Sequence, residues 1–130
     1  MIVDSSAVIA ILTEEPEATE FSGKIAAAKT LRMSVANFIE AAIVLDSKRS
    51  SAISRKLDEL VRTAEINLAP VDEAQARIAR EAYRDFGKGS GHKAQLNFGD
   101  CFAYALAKTL NEPLLFKGTD FSQTDVRSAL

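Results

Sequence analysis

Apolar and polar positions along this chain follow two alternating periods. Met1–Val3, Thr30–Met33, Ile66–Val71 and Leu114–Phe116 are short apolar runs closed by polar or turn residues. They predict buried strands. Between them apolar residues recur at helical spacing. Ser5 and Ser6 open a helix through Ala7–Leu12, and Pro16 begins one that runs to about Ala28. Ser34 opens a third helix, with Val35, Phe38, Ile39, Ala42, Ile43 and Leu45 as its apolar surface. Ile53, Leu57, Leu60 and Val61 mark a fourth. Asp72 caps a fifth, from Glu73 to about Phe86, with Ala76, Ile78, Ala79, Ala82, Tyr83 and Phe86 inward. The last starts within 96–100 and is stopped by Asn111-Glu112-Pro113. Val126 is a candidate for one more edge pairing. Strands separated by helices predict an α/β fold with a parallel sheet covered on both faces. Right-handed crossovers put every strand's C-terminal end on one side.

Composition narrows the setting. A length of 130 residues, 47% hydrophobic and 26% charged, fits one domain spanning 1–130 with its own core. The formal net charge of −2 argues against generic nucleic-acid binding. Any such partner must meet a local basic face; Arg49, Lys88, Lys93 and Lys117 are its candidates. One cysteine, Cys101, makes no internal disulfide and fits a reducing compartment. It reads as a buried helix residue. No apolar run approaches the ~20 residues of a membrane span. Met1–Asp4 leads straight into the fold, so the expected location is the cytoplasm.

The candidate chemistry lies in four acids at the edges of apolar segments. Asp4 and Asp120 follow predicted strands, where open α/β sheets place their ligands. Asp100 leads into an apolar helix with no basic residue before Lys108, and Glu40 sits within the apolar surface of its own helix. Each has a plainer reading. Asp4 can cap the following helix, although Ser5 and Ser6 also offer that service, and Glu40 can pair with a distant arginine. Asn37, one turn before Glu40, points the same way. Four carboxylates on one rim repel one another and call for a cation. Oxygen ligands without a histidine cluster or thiol point to Mg²⁺ or Mn²⁺. The chemistry this allows is hydrolysis of a phosphate ester. The loop Gly87–Gln95 is glycine-rich and basic, but it lacks the Lys-Ser/Thr ending of a P-loop and no strand precedes it. It reads either as a mobile loop carrying Lys88, His92 and Lys93 to the Asp100 helix or as a solvated connector.

The chain resembles the PIN-domain ribonucleases, and among them the VapC toxins of bacterial toxin–antitoxin pairs. The resemblance is carried by Ile2-Val3-Asp4-Ser5-Ser6, by Glu40 on its helix, by Leu96-Asn97-Phe98-Gly99-Asp100-Cys101-Phe102-Ala103-Tyr104-Ala105, and by Leu114-Leu115-Phe116-Lys117-Gly118-Thr119-Asp120-Phe121. It implies a PIN-like three-layer sandwich with about five parallel strands and Mg²⁺-dependent endonucleolytic cleavage of RNA. It further implies a homodimer and neutralisation by a VapB-like antitoxin. Carried over by position, Asp4 and Asp100 are the metal ligands, Glu40 completes the cluster and orients the water, and Asp120 is the fourth acid. Ser6 matches the small hydroxyl residue beside the first acid. Asp125 reads as a surface or turn residue. The antitoxin is expected to lay a helix or tail over the acids, often with an arginine; Ile9, Leu12 and Phe21 are candidates to line its groove. The loop Gly87–Gln95 departs from the family pattern, which is shorter and carries a proline.

Two rival readings stand beside this one. A non-catalytic PIN-like module would bind RNA or protein without cleaving it. A Mg²⁺-dependent phosphatase or phosphotransfer domain would need a second acid beside or two residues after Asp4, where Ser5 and Ser6 stand.

Overall fold

The computed structural model describes residues 1–130. Its elements are β1 (Ile2–Val3), α1 (Ser5–Leu12), α2 (Ala18–Ala27), β2 (Leu31–Ser34), α3 (Val35–Asp46), α4 (Ser51–Thr63), β3 (Ile66–Ala69), α5 (Glu73–Phe86), α6 (Phe98–Leu110) and β4 (Leu114–Leu115), followed by a 3₁₀ turn (Phe121–Gln123). The strands form one sheet in the order β3-β2-β1-β4, and every pairing is parallel. Ile2 lies opposite Arg32 on one side and Leu114 on the other.

The sheet has four strands where about five were expected. The place of a fifth is held by a single parallel bridge between Leu114 and Ser128. Leu114 N–H donates to Arg127 O at 2.9 Å and Ala129 N–H to Leu114 O at 2.9 Å. The pairing falls two residues beyond Val126, which packs against the core instead. Asp125 is the reason. Its carboxylate accepts from Tyr104 Oη at 2.7 Å and Lys108 Nζ at 2.8 Å, so the tail is tied to α6 before it reaches the sheet edge. Asp125 is exposed, as expected of a surface residue, and its carboxylate also latches the tail to α6.

Successive strand residues face opposite sides of a sheet, and the two cores show this directly. Ile2 and Leu114 belong to the core under α5 and α6, whereas Val3 and Leu115 belong to the core under α1–α4; all four are fully buried. A run of two apolar residues is therefore enough for a central strand when both faces are covered.

The helix on Ser34 turns a different face inward from the one its apolar residues suggest. Asn37, Ala41 and Leu45 are buried, while Ile39 and Ile43 are 55% and 64% exposed. Asn37 sets this rotation, because its amide donates to Gly99 O on α6 at 3.0 Å. On α5, Gln75, Ala79 and Ala82 are buried while Ala76 and Tyr83 are exposed. Gln75 Nε2 bonds Pro70 O at 3.2 Å and so takes an inward place. Helix α2 begins at Ala18, two residues after Pro16, with Glu17 at its N-cap.

The loop between α5 and α6 is stitched at its base. Lys88 N–H donates to Leu96 O and Leu96 N–H to Phe86 O, both at 2.9 Å. His92 lies edge-on to Phe86 at 4.9 Å between ring centroids, and its Nδ1 accepts from Ala94 N–H at 3.1 Å. The histidine therefore works inside the loop. Lys88 and Lys93 remain exposed.

Candidate active site

Asp4 occupies the junction of β1 and α1 with extended backbone, φ −81° and ψ 157°. It is the N-cap of α1. Its Oδ2 accepts from Ser6 N–H at 2.9 Å and from Ser6 Oγ at 2.5 Å. Ser6 Oγ in turn accepts from Lys117 N–H at 3.0 Å, which joins this junction to the segment after β4. The capping reading of Asp4 and the functional one turn out to use different oxygens. Oδ2 caps; Oδ1 is buried with no hydrogen-bond partner. Burial pushes the Asp4 carboxyl up from 3.8 to about 6, partly opposed by the Ser6 bonds and reinforced by Glu40.

Asp100 repeats this arrangement on the second helix. It is the third residue of α6 and forms a capping box with Asn97: Asp100 N–H donates to Asn97 Oδ1 at 2.9 Å, and Asn97 N–H to Asp100 Oδ2 at 2.8 Å. Its other oxygen makes no hydrogen bond. Burial raises the Asp100 carboxyl from 3.8 to about 7; the Asn97 bond opposes this, and the charges of Asp4, Asp120 and Glu40 add to it. All four acids therefore lie within electrostatic reach of one point.

Glu40 comes from α3, half-buried. Its Oε2 accepts from Ser5 Oγ at 2.7 Å and Asn37 Nδ2 at 3.3 Å. Asp120 lies beyond β4, exposed, at the head of the 3₁₀ turn, and its side chain caps nothing. None of the four acids forms an ion pair with a cationic side chain.

The donor set suits a hard divalent cation on physical grounds. Two raised carboxyls share a rim, each with one free oxygen, and one of those oxygens is a buried orphan. A buried polar atom without a partner is costly, and a cation satisfies it. As arranged, no three acidic, histidine or cysteine side chains are grouped tightly enough to hold an ion among them. Asp4 and Asp100 are the two acids of the cluster with a raised carboxyl and one oxygen outside any hydrogen bond, and a hard cation held through one or two carboxylates is the class of group that such a pair suits.

The cationic candidates divide. Lys117 is held by Glu15 and by Glu17 at 3.2 Å, so it braces the turn after α1 instead of standing free for substrate. Lys88, Lys93 and Arg49 are exposed and in no ion pair. Cys101 is buried in α6 as expected, its Sγ donating to Asn97 O at 3.3 Å. Three contributors to the site were not legible in the sequence: Ser5, Asn97 and Gly99. Asn97 carried a signal, as an N-cap residue three places before an acid. Ser5 and Gly99 lie within the motifs that carry the family resemblance, but nothing local gave them a role, because Glu40, which they approach, is 35 and 59 residues away in the chain.

Comparison with known proteins sets this geometry in context. Residues 1–127 match the family described as PIN domain. Over its full length the chain is 56% identical to the VapC ribonuclease Mb0625 of Mycobacterium bovis, covering 98% of that protein. It is 48% identical over 126 residues to the ribonuclease VapC of Mycolicibacterium smegmatis, covering 97% of each. Among solved structures, Mycobacterium tuberculosis VapC20, described as a sarcin–ricin loop cleaving toxin, superposes with a TM-score of 0.76 at 13% identity, over 96% of this chain and 95% of that one. A toxin–antitoxin complex from Klebsiella pneumoniae gives 0.70 at 15% identity, over 93% and 89%. These two likenesses concern the fold.

Proposed function

This chain belongs to the PIN-domain family, among its VapC ribonucleases, and on that premise we propose that it is the toxin of a toxin–antitoxin pair, cleaving RNA endonucleolytically with Mg²⁺. The observation that carries the metal is the orphaned Oδ1 of Asp4 beside the raised Asp100 carboxyl. Asp4 and Asp100 hold the ion. Such a cation would supply neutralisation of charge on the scissile phosphate and a lowered water pKa, so that the water is deprotonated to the nucleophile near neutral pH. Glu40 has one oxygen engaged by Ser5 and Asn37, and the other, Oε1, would orient the attacking water and accept its proton while the bond from phosphorus to the leaving ribose oxygen breaks and that oxygen takes a proton from solvent. Asp120 lies at the exposed lip and acts through water. Ser6 holds Asp4 by donating both its N–H and its Oγ–H to Oδ2, and its hydroxyl is itself fixed by Lys117 N–H. Lys88 and Lys93, free at the surface, are the contacts for the substrate's phosphates.

The test is cleavage of single-stranded RNA by the purified protein. Activity should disappear with EDTA, return with Mg²⁺, and fall at least about 100-fold in Asp100→Asn, the scale of lost acid–base or electrostatic assistance. Cleavage that survives chelation would refute the metal mechanism. An Asp100→Asn protein that binds RNA and arrests growth like the parent would favour the non-catalytic module.

Two surfaces support the partners. Ile39, Ile43, Val44 and Phe98 are large apolar side chains left 38–76% exposed on α3 and the start of α6, which supports a homodimer through that face. At the opposite end of the sheet a groove of ≈ 580 Å³ is lined by Ile11, Ile25 and Leu60 with Lys29 and Arg32 at its rim. It supports docking of an amphipathic antitoxin helix, whose tail would then run on to cover the acids at the other end of the sheet; Lys29 is the unpaired cation of the groove, Arg32 being paired with Glu112. Phe21 is buried in the core, and Ile9 and Leu12, half-buried on α1, are not among the residues that line this groove. Ile43→Asp should convert dimer to monomer in light scattering while antitoxin affinity persists. Leu60→Asp should weaken antitoxin capture while the dimer persists. The opposite pattern would overturn both assignments.

No helix is long and apolar enough to cross a membrane.

A further inference from the structure

Glu40 is the one acid of the cluster that reaches it from the middle of a helix with a long, flexible side chain. Its place is set by contacts from two other elements. Ser5 Oγ, on the first turn of α1, donates to Oε2 at 2.7 Å. Asn37, fully buried, donates through Nδ2 to Oε2 and to Gly99 O at 3.0 Å, tying α3 to the first turn of α6. The third wall is bare backbone. The carboxylate lies so close over the Gly99 Cα that a Cβ there would stand 2.5 Å from Glu40 Cδ and closer still to Oε1. Gly99 does not carry the positive φ that would call for glycine on backbone grounds. It sits inside an ordinary helix, where glycine is about 1 kcal/mol worse than alanine. The space above it is therefore the feature that needs the glycine.

We propose that Gly99 and Ser5 are positioning residues for Glu40. Gly99 supplies the floor and Ser5 the hydrogen bond, and together they press the carboxylate against the start of α6, one residue before Asp100. The inference rests on the nuclease reading above. It adds that the Glu40 carboxylate is delivered by shape, with α1 and α6 both in contact with an acid that belongs to α3. An alanine at position 99 blocks that seat and drives the Glu40 carboxylate outward by about 1 Å before it regains ordinary van der Waals contact. Displacement of this order, about 1 Å, can cost ~100-fold in rate.

The experiment is a cycle between positions 99 and 40 in the full chain. Gly99→Ala should lower kcat for RNA cleavage about 100-fold and leave KM near that of the parent. Glu40→Asp, one methylene shorter, clears the new methyl. In the Gly99→Ala background it should raise kcat about tenfold, although it lowers kcat in the parent. Purely multiplicative losses in the double variant would overturn the proposal. Ser5 gives an arm without steric insult. The Ser5→Ala penalty should vanish in a Glu40→Ala background, and Ser5→Thr, which keeps the hydroxyl, should recover most of the loss; a penalty that persists without Glu40 overturns the role of Ser5. Mn²⁺ binding by calorimetry provides a readout besides activity. It should remain within about threefold of the parent in Gly99→Ala, whereas loss of Asp4 removes it. Loss of Mn²⁺ binding in Gly99→Ala would overturn the assignment to Glu40. If the parent protein itself cleaves no RNA, the nuclease reading fails, a result distinct from any outcome of the cycle.

Discussion

Asp4→Asn should abolish RNA cleavage and at the same time make the metal-free protein more stable. The two effects come from the two oxygens of one side chain. Asparagine retains a carbonyl oxygen for Ser6 N–H and Ser6 Oγ, so the cap of α1 survives; Asn is among the best N-cap residues. The amide then replaces the orphaned oxygen, and it donates where that oxygen could only repel the neighbouring acids. Removing the negative charge removes the cation's seat, and cleavage should fall by about 1,000-fold or more. The carboxyl is fully buried and raised from 3.8 to about 6. At ~1.4 kcal/mol for each unit, its ionisation near neutral pH costs the fold roughly 3 kcal/mol as an upper figure. A gain of several degrees in the thermal midpoint is expected. A variant that cleaves RNA within tenfold of the parent, or that melts lower, would contradict this account of Asp4.

The second large effect is on stability against pH. Asp4 and Asp100 both have folded-state values above the unfolded one, about 6 and about 7 against 3.8. Their contribution is fully present below pH 4 and is lost as pH rises through 6 and then 7, because the unfolded chain releases those protons first. Glu15, Glu112 and Asp125 act in the opposite sense. Glu15 is lowered by Lys117, Asp125 by Lys108 and Tyr104, and Glu112 by the N-terminus and Arg32 against the opposing effect of burial. Their contribution is lost only as pH falls below the ordinary carboxylate range. The metal-free protein should therefore melt highest between about pH 4 and 5 and lower at pH 8, by several degrees. Mg²⁺ binds the ionised pair, so it should raise the midpoint at pH 8 and have little effect at pH 5. A midpoint that climbs steadily from pH 5 to 8 without metal, or Mg²⁺ stabilisation that is equal at both, would contradict the placement of these two carboxyls.

Most of the architecture was legible in the chain because it follows from local rules. Two-residue apolar strands read correctly, since residues buried on both faces need no alternation. Ser34 and Asp72 cap their helices as their types suggest. The misreadings have one cause. Periodicity counts apolar residues, but the direction a helix faces depends on what lies across from it. Ile39 and Ile43 carry the hydropathy of a core face and yet stay exposed, because Asn37, bonded to Gly99 O on α6, and the buried Ala41 and Leu45 take the inward face. Lys117 read as a free cation until the fold brought Glu15 and Glu17 against it.

The primary structure alone was sufficient for a parallel α/β domain with acids at the ends of strands and the starts of helices, because strand and helix periods, caps and acid placement are properties of neighbours in the chain. It could not say that Asp4 and Asp100 each spend one oxygen on a helix cap and leave the other unbonded, nor that a glycine 59 residues away makes room for Glu40. Those are contacts between segments that meet only once both cores have closed on the sheet, and a one-dimensional pattern carries no term for them.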